Sequence, residues 1–160
     1  MIFYPNAYIN NVKEITIEFL NKNNIKGLLL DVDNTLIDFD LKMLEGAKTW
    51  CENLKNQDIK LCILSNTNKI EKVKKVAKEL DIPYINFAKK PFKNGFKKAI
   101  KLLKLKPKNI AVVGDQIMTD VLRRKQNANV YNFNKATRRK RYIYNKSKKA
   151  FRKYYYKKIY

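Results

Sequence analysis

Histidine is absent from all 160 residues. That absence removes imidazole acid–base chemistry, histidine-containing nucleophile triads and most zinc sites. Cysteine is nearly absent. Cys51 and Cys62 stand at no metal-ligand spacing and fall on apolar faces of expected elements, so they read as buried free thiols. No apolar run approaches the roughly 20 residues of a membrane span. The opening MIFYPNAYINNVKE lacks the basic region and cleavage site of a secretory signal. A cytoplasmic chain is expected, with a peripheral place at the inner face of a membrane left open. Acidic residues are also scarce, 14 against 36 basic ones, for a net charge of +22. A field of that sign favours anionic partners: nucleic acid, acidic lipid or a phosphorylated substrate.

What the chain does have is an apolar run that stops abruptly at acid. Leu28 to Leu36 reads LLLDVDNTL. A short apolar run bounded by polar residues is the pattern of a strand buried on both faces, and such strands present chemistry at their carboxyl ends. If the extended backbone persists past Leu30, Asp31 and Asp33 project to one side. Two carboxylates that close call for a cation, and magnesium takes oxygen ligands. An EF-hand calcium loop is excluded, because Leu36 and Lys42 occupy the positions that would need glycine and glutamate.

The remaining pattern alternates strand and helix. Val12, Ile15 and Phe19 mark a helix from about Asn10 to Asn24, and Ile25–Leu30 is the first strand. A helix over about Leu44–Asn56 precedes a strand over Ile59–Leu64. Ile70, Val73, Ala77 and Leu80 mark a third helix, and Pro83–Phe87 is a short strand. Phe96, Ala99, Ile100 and Leu103 mark a fourth helix, broken by Pro107, before the strand Asn109–Val113. A short helix over about Thr119–Lys125 and a strand over Val130–Phe133 complete the series. Residues 1–9 read as irregular. The expected fold is α/β: a Rossmann-like parallel sheet of about five strands, helices on both faces, and right-handed crossovers. Residues 1–134 form the domain. Residues 135–160 form a basic tail with twelve Lys or Arg, no acid and seven interleaved aromatics.

In such a sheet the polar residues that end the strands converge. They are Asp31 and Asp33, Ser65 with Asn66, Lys90, and Gly114 with Asp115. Phosphate-ester hydrolysis needs a nucleophile, a proton donor for the leaving oxygen, positive charge on the phosphoryl oxygens, a metal and orienting donors. Asp31, deepest on its strand, is the candidate nucleophile, and Asp33 the candidate acid and base. Thr35 is expected to hydrogen-bond near Asp33. Ser65 and the amide of Asn66 can donate to a phosphoryl oxygen, and Ser65 can also cap the third helix. Lys90 supplies a cation, with Lys89 as the alternative. Gly114 permits a tight turn before Asp115, a third metal ligand, and Asp120 can hold a metal-bound water.

Taken in order, DVDNT, SNT, KKP and GDQIMTD resemble the four signature motifs of the haloacid dehalogenase-like superfamily. That resemblance covers residues 25 to about 134. It implies an aspartyl-phosphate phosphatase with Asp31 as nucleophile, Asp33 as acid/base, Ser65 and Lys90 as phosphate binders, and Asp31, Asp33 and Asp115 as magnesium ligands. PNAY, DVDNTLIDFD and GDQIMTDVL further resemble the YqeG-like phosphatases of subclass IIIA, related to the phosphatidylglycerophosphate phosphatases. This chain departs from that group where glycines usually follow T-D-V-L, carrying Arg123-Arg124-Lys125-Gln126 instead.

The segments Asp33–Ser65 and Ser65–Lys90 are each consumed by one helix and one strand, leaving no length for a cap domain. An open site suits phosphate on a macromolecule or a lipid headgroup. The expected function is magnesium-dependent phosphomonoester hydrolysis on a substrate such as a lipid phosphate, with the tail at an anionic membrane surface. A nucleic-acid end phosphatase, or an RNA-binding protein that uses the basic tail, is the alternative.

Overall fold

In the computed structural model of the chain, the described residues are 7–38, 40–89, 93–115 and 131–135. Among these residues six strands form one parallel sheet, and their spatial order follows from two excursions of the chain. Strand β2 (Gly27–Leu30) lies inside the sheet. From it the chain crosses through α2 (Ala47–Asn56) to β3 (Lys60–Leu64), then through α3 (Ile70–Leu80) to β4 (Tyr84–Ile85) at one edge. It returns through α4 (Lys93–Leu103) to β5 (Ile110–Gly114) on the opposite side of β2, and continues outward to β6 (Tyr131–Lys135). Strand β1 (Ala7–Ile9), followed by α1 (Ile17–Lys22), closes the far edge in parallel register, Ala7 beside Phe133. The order is β1-β6-β5-β2-β3-β4.

Side-chain alternation explains why β2, β3 and β5 read as continuous apolar runs. Leu28, Leu30, Leu61, Ile63, Ala111 and Val113 enter one core, with Trp50, Leu54, Val73 and Leu80 from α2 and α3. Leu29, Cys62, Leu64, Ile110 and Val112 enter the other, with Phe96, Ala99 and Leu103 of α4. A strand covered on both faces has no polar side. Each large apolar side chain moved out of water contributes roughly 1.5–3 kcal/mol. Both thiols are buried and unpaired with each other. Burial pushes Cys51 and Cys62 up to about 12, so they remain neutral packing groups at physiological pH.

The α/β fold, the parallel sheet and the expected order of elements are present. The differences are local. The irregular opening contains β1, a strand too short to carry a visible alternation. The expected helix over 10–24 is two pieces: a 3-10 turn at Val12–Glu14, capped by Asn11, and α1, capped by Thr16. Thr16 takes the amide of Phe19, so a side-chain cap inside the apolar pattern starts a new helix. Val12 and Ile15 still bury, and Phe19 packs partly buried against the same core, although the helix breaks between Ile15 and Phe19. Helix α4 ends before Pro107 is reached: Lys104 has φ 53°, and Pro107 instead opens a second 3-10 turn. Strand β6 runs through Lys135, one residue into the expected tail. The expected helix over 119–125 and residues 136–160 lie outside the described residues.

Candidate active site

The sheet reverses its direction of growth between β2 and β5, one strand pair whose following connections depart to opposite sides. In open parallel sheets the crevice outside the carboxyl ends at such a point is where ligands bind. Leu30 is level with Val113 of β5 and with Ile63 of β3. The amide of Asp31 continues that ladder, donating to the carbonyl of Val113 at 2.8 Å. Asp31 thus enters the crevice beside Gly114 and Asp115, with Ser65 just beyond the neighbouring end of β3. Three polar residues distant in sequence, Asp31, Ser65 and Asp115, are brought to one place, and all three are buried.

Each is held by its own local structure. One oxygen of Asp31, Oδ1, accepts the amide of Val32 at 2.9 Å, which sets the carboxylate's orientation. Ser65 is clasped by β4 and the loop behind it: its amide donates to Ile85 and its carbonyl accepts from Ala88. Its Oγ accepts the amide of Thr67 at 3.2 Å. The expected capping of α3 by Ser65 does not occur; Lys69 holds the cap position without a side-chain bond. Asn66 stands exposed at the crevice. Oδ2 of Asp115 accepts from Asn34 Nδ2 at 3.0 Å, which ties the β2 loop to the β5 loop.

The loop after Asp31 departs from the extended path. Strand β2 ends at Leu30, and the amides of Thr35, Leu36 and Ile37 converge on the carbonyl of Val32. The tight turn places Asn34 at φ 57°, a conformation asparagine tolerates. It continues as a small hairpin, in which Leu44 donates to Leu36 and Asp38 to Lys42, both at 2.9 Å. Asp33 bridges to Ile37 and turns its carboxylate to Lys72 on the first turn of α3, with which it forms an ion pair. The Asp33 side chain is 43% exposed and that of Lys72 16%, so the lysine is the more enclosed partner.

Thr35 is fully buried, but its hydroxyl has no hydrogen-bond partner among the described residues. The bond expected near Asp33 is not formed, and the amide of Thr35 fixes the turn instead. Gly114 likewise does not turn the chain. It is the last residue of β5, level with Asn134, and does not have a positive φ. Lys90 and Asp120 lie outside the described residues; Lys89 is described, exposed, with φ 48°.

Lys72 and Asn34 are the site residues that sequence reasoning missed. Lys72 is one lysine among many, and only its seat at the start of a helix facing the β2 loop distinguishes it. Asn34 lies within the D-x-D-N-T stretch, but nothing in its spacing points 81 residues ahead to Asp115. Among the described residues no three acidic or thiol side chains are gathered closely enough to hold a metal ion. The site offers two buried carboxylates, Asp31 and Asp115, with the Asp33 carboxylate turned toward Lys72. An all-oxygen donor set of this kind suits a hard cation such as magnesium.

A family profile described as haloacid dehalogenase-like hydrolase matches residues 39–122. The chain is 38% identical over 125 residues to the Probable phosphatase YqeG of Bacillus subtilis (strain 168), covering 75% of this chain and 70% of that one. The chain belongs to the haloacid dehalogenase-like hydrolase family. It is an enzyme, a phosphatase of that family's type.

Among solved structures, the cobalt-bound deoxy-D-mannose-octulosonate 8-phosphate phosphatase of Haemophilus influenzae is similar in fold. Its TM-score is 0.52 at 20% identity, over 58% of this chain and 60% of that chain. An uncharacterized protein from Listeria monocytogenes serotype 4b aligns with a TM-score of 0.52 at 21% identity, over 68% of this chain and 78% of that chain. The family profile begins beyond Asp31 and Asp33.

Proposed function

We propose that this phosphatase hydrolyses phosphomonoesters by covalent catalysis on Asp31, in an open site suited to a lipid phosphate. The observation that carries the reading is the pair of buried carboxylates, Asp31 and Asp115, on adjacent strand ends with buried Ser65 alongside. An oriented carboxylate at the bottom of a crevice attacks phosphorus; a phosphorus–oxygen bond forms to Asp31 and the bond to the leaving oxygen breaks. Asp33, half-exposed at the mouth, takes a proton from solvent and gives it to that oxygen, returning to the carboxylate that pairs with Lys72. In the second half, Asp33 takes a proton from water as the water oxygen attacks phosphorus, and inorganic phosphate leaves Asp31.

Lys72 holds the Asp33 carboxylate in place by the ion pair that joins them. The hydroxyl of Ser65, the amide of Asn66 and the ammonium of Lys90 bind the phosphoryl oxygens. The carboxylates of Asp31 and Asp115 with the carbonyl of Asp33 would hold magnesium, which supplies charge neutralisation where a dianion meets carboxylates. Asp120 is assigned to hold a metal-bound water.

Substrate size follows from the short connections. Between Asp33 and β3 lie only the small hairpin and α2, and between β3 and β4 only α3. No inserted domain covers the crevice from these two connections, so a phosphate on a bulky carrier can enter. The net charge of +22, with twelve cations in the last 26 residues, supports a peripheral position on the inner face of a membrane. Among the described residues no helix is long and apolar enough to cross one.

The test is hydrolysis of an aryl phosphate, then of phosphatidylglycerophosphate, by purified protein with and without magnesium. Asp31→Asn is expected to lose at least about 10³-fold in kcat while keeping its far-ultraviolet dichroism. Beryllium fluoride is expected to raise the Tm of the unsubstituted protein only with magnesium. Retention of most activity by Asp31→Asn overturns the covalent reading. Turnover of phosphorylated oligonucleotides with none of the lipid overturns the substrate assignment.

A further inference from the structure

Large apolar side chains exposed to solvent among the described residues are Leu41, Ile70, Phe87 and Leu102. The first three share one edge of the molecule. Leu41 is at the tip of the hairpin that follows β2, Ile70 opens the helix that follows β3, and Phe87 lies in the loop that follows β4. Strands β2, β3 and β4 are consecutive neighbours in the sheet. The three side chains therefore rim the carboxyl edge on the β3–β4 side of the catalytic crevice.

Two further observations separate this rim from ordinary scattered exposure. The first is backbone. Leu41 has φ 61° and Phe87 φ 52°, the left-handed region that bulky residues avoid. Elsewhere the chain assigns that conformation to Asn24, Asn34, Asp58 and Asp81, which tolerate it, and to Lys89 and Lys104. Leu41 and Phe87 thus pay twice, in backbone conformation and in apolar surface at 59% and 56% exposure, and a cost held at a site mouth points to use.

The second is charge. An exposed lysine accompanies each tip: Lys42 after Leu41, Lys69 before Ile70, and Lys89 two residues after Phe87. Of the neighbouring acids, Asp40 and Glu45 are exposed and the others are engaged. Asp38 Oδ1 accepts the amides of Asp40 and Lys42, Glu71 pairs with Lys74, and Asp33 pairs with Lys72.

We infer that Leu41, Ile70 and Phe87, with Lys42, Lys69 and Lys89, form a contact face that seats the mouth of the site on an anionic lipid bilayer. Apolar tips enter the acyl boundary while the adjacent ammonium groups meet headgroup phosphates, the pairing that holds peripheral proteins at such a surface. The inference deepens the lipid-phosphate reading of the site and rests on it. It also assigns the tips a contribution separate from that of the basic tail. Charge attraction fades in salt, whereas apolar insertion does not.

The full-length chain and its Leu41→Asn/Phe87→Asn variant test it. Asparagine accepts the left-handed backbone and neither side chain is in the core, so the Tm of the variant is expected to stay level or rise. Its kcat/KM on a soluble aryl phosphate is expected to stay within about twofold, since neither residue reaches the reacting atoms. Sedimentation with phosphatidylglycerol vesicles is expected to fall about tenfold or more, most clearly at high salt, where the unsubstituted protein retains binding. Equal vesicle binding by both proteins at low and high salt overturns the inference, as does loss of all binding by the unsubstituted protein at high salt. Conversion of a dimer to a monomer by the substitutions, with vesicle binding unchanged, would reassign the face to self-association. A protein that binds vesicles through these tips but hydrolyses no phosphate would fail the functional reading and not this one.

Discussion

At the scale of single residues, the two aspartates of D-x-D have been separated by the turn that lies between them. Asp31 is buried and bound to its own loop; Asp33 is open and paired with Lys72. A buried, oriented carboxylate is suited to attack, and a half-exposed one to exchange protons with a leaving group and with water. Their different surroundings lead to a prediction about leaving groups. Asp33→Asn is expected to lose about 10²–10⁴-fold on an alkyl phosphate, whose leaving oxygen needs a proton. The loss on nitrophenyl phosphate is expected to be much smaller, because that leaving group is stable as an anion. Lys72→Met acts through Asp33, so it should change the same ratio. Parallel rate measurements on the two esters check both variants, and equal losses on the two would remove Asp33 from the acid role.

At the scale of elements, α4 approaches the loop after β4 closely. Gly95 packs so closely that a Cβ there would lie 2.4 Å from the carbonyl oxygen of Ala88 and 2.8 Å from its Cα. The opposing atoms are backbone, so neither side can yield by rotating a side chain. The same Ala88 donates its amide to the carbonyl of Ser65, and it immediately precedes Lys89 and Lys90. Gly95→Ala is expected to cost about 1–3 kcal/mol of stability, the range for overpacking a close contact. Because the displaced loop carries Ser65's partner and leads to Lys90, the proposed phosphate binder, KM should rise as well. Urea unfolding and steady-state kinetics measure the two effects, and a variant as stable as the parent would show that the helix can slide away from Ala88.

At the scale of the whole molecule, charge and fold are unevenly divided. The last strand along the chain, β6, ends at Lys135, while the densest run of cations lies in residues 136–160. Shortening the chain must therefore spare Lys135, which is level with Ile9 of β1. A variant ending at Ala136 is expected to keep its kcat on an aryl phosphate within about twofold, since no residue assigned to the site lies beyond Asp120. Its binding to phosphatidylglycerol vesicles at low salt should weaken severely, while the salt-resistant part carried by the loop tips remains. Vesicle sedimentation across a salt series separates the two contributions. A truncated protein that binds as well as the full chain at low salt would show that the tail takes no part.

The local pattern of residues was enough to determine the layered α/β fold, the parallel sheet and the convergence of Asp31, Ser65 and Asp115. The reason is physical: strands covered on both faces must be apolar throughout, so polar residues that end such runs can only face the crevice. Elements without that signature were not legible. Strand β1 is three residues long, too short to show alternation, and is defined by its partner β6. The break before α1 depends on whether Thr16 caps or continues a helix, a choice that composition leaves open. The site's contacts were decided by tertiary structure. Asn34 reaches Asp115 because β2 and β5 are neighbours, and Lys72 meets Asp33 because the turn after Val32 swings that carboxylate toward α3. Periodicity reports which way a side chain faces along its own element; which distant side chain it meets depends on how the elements pack.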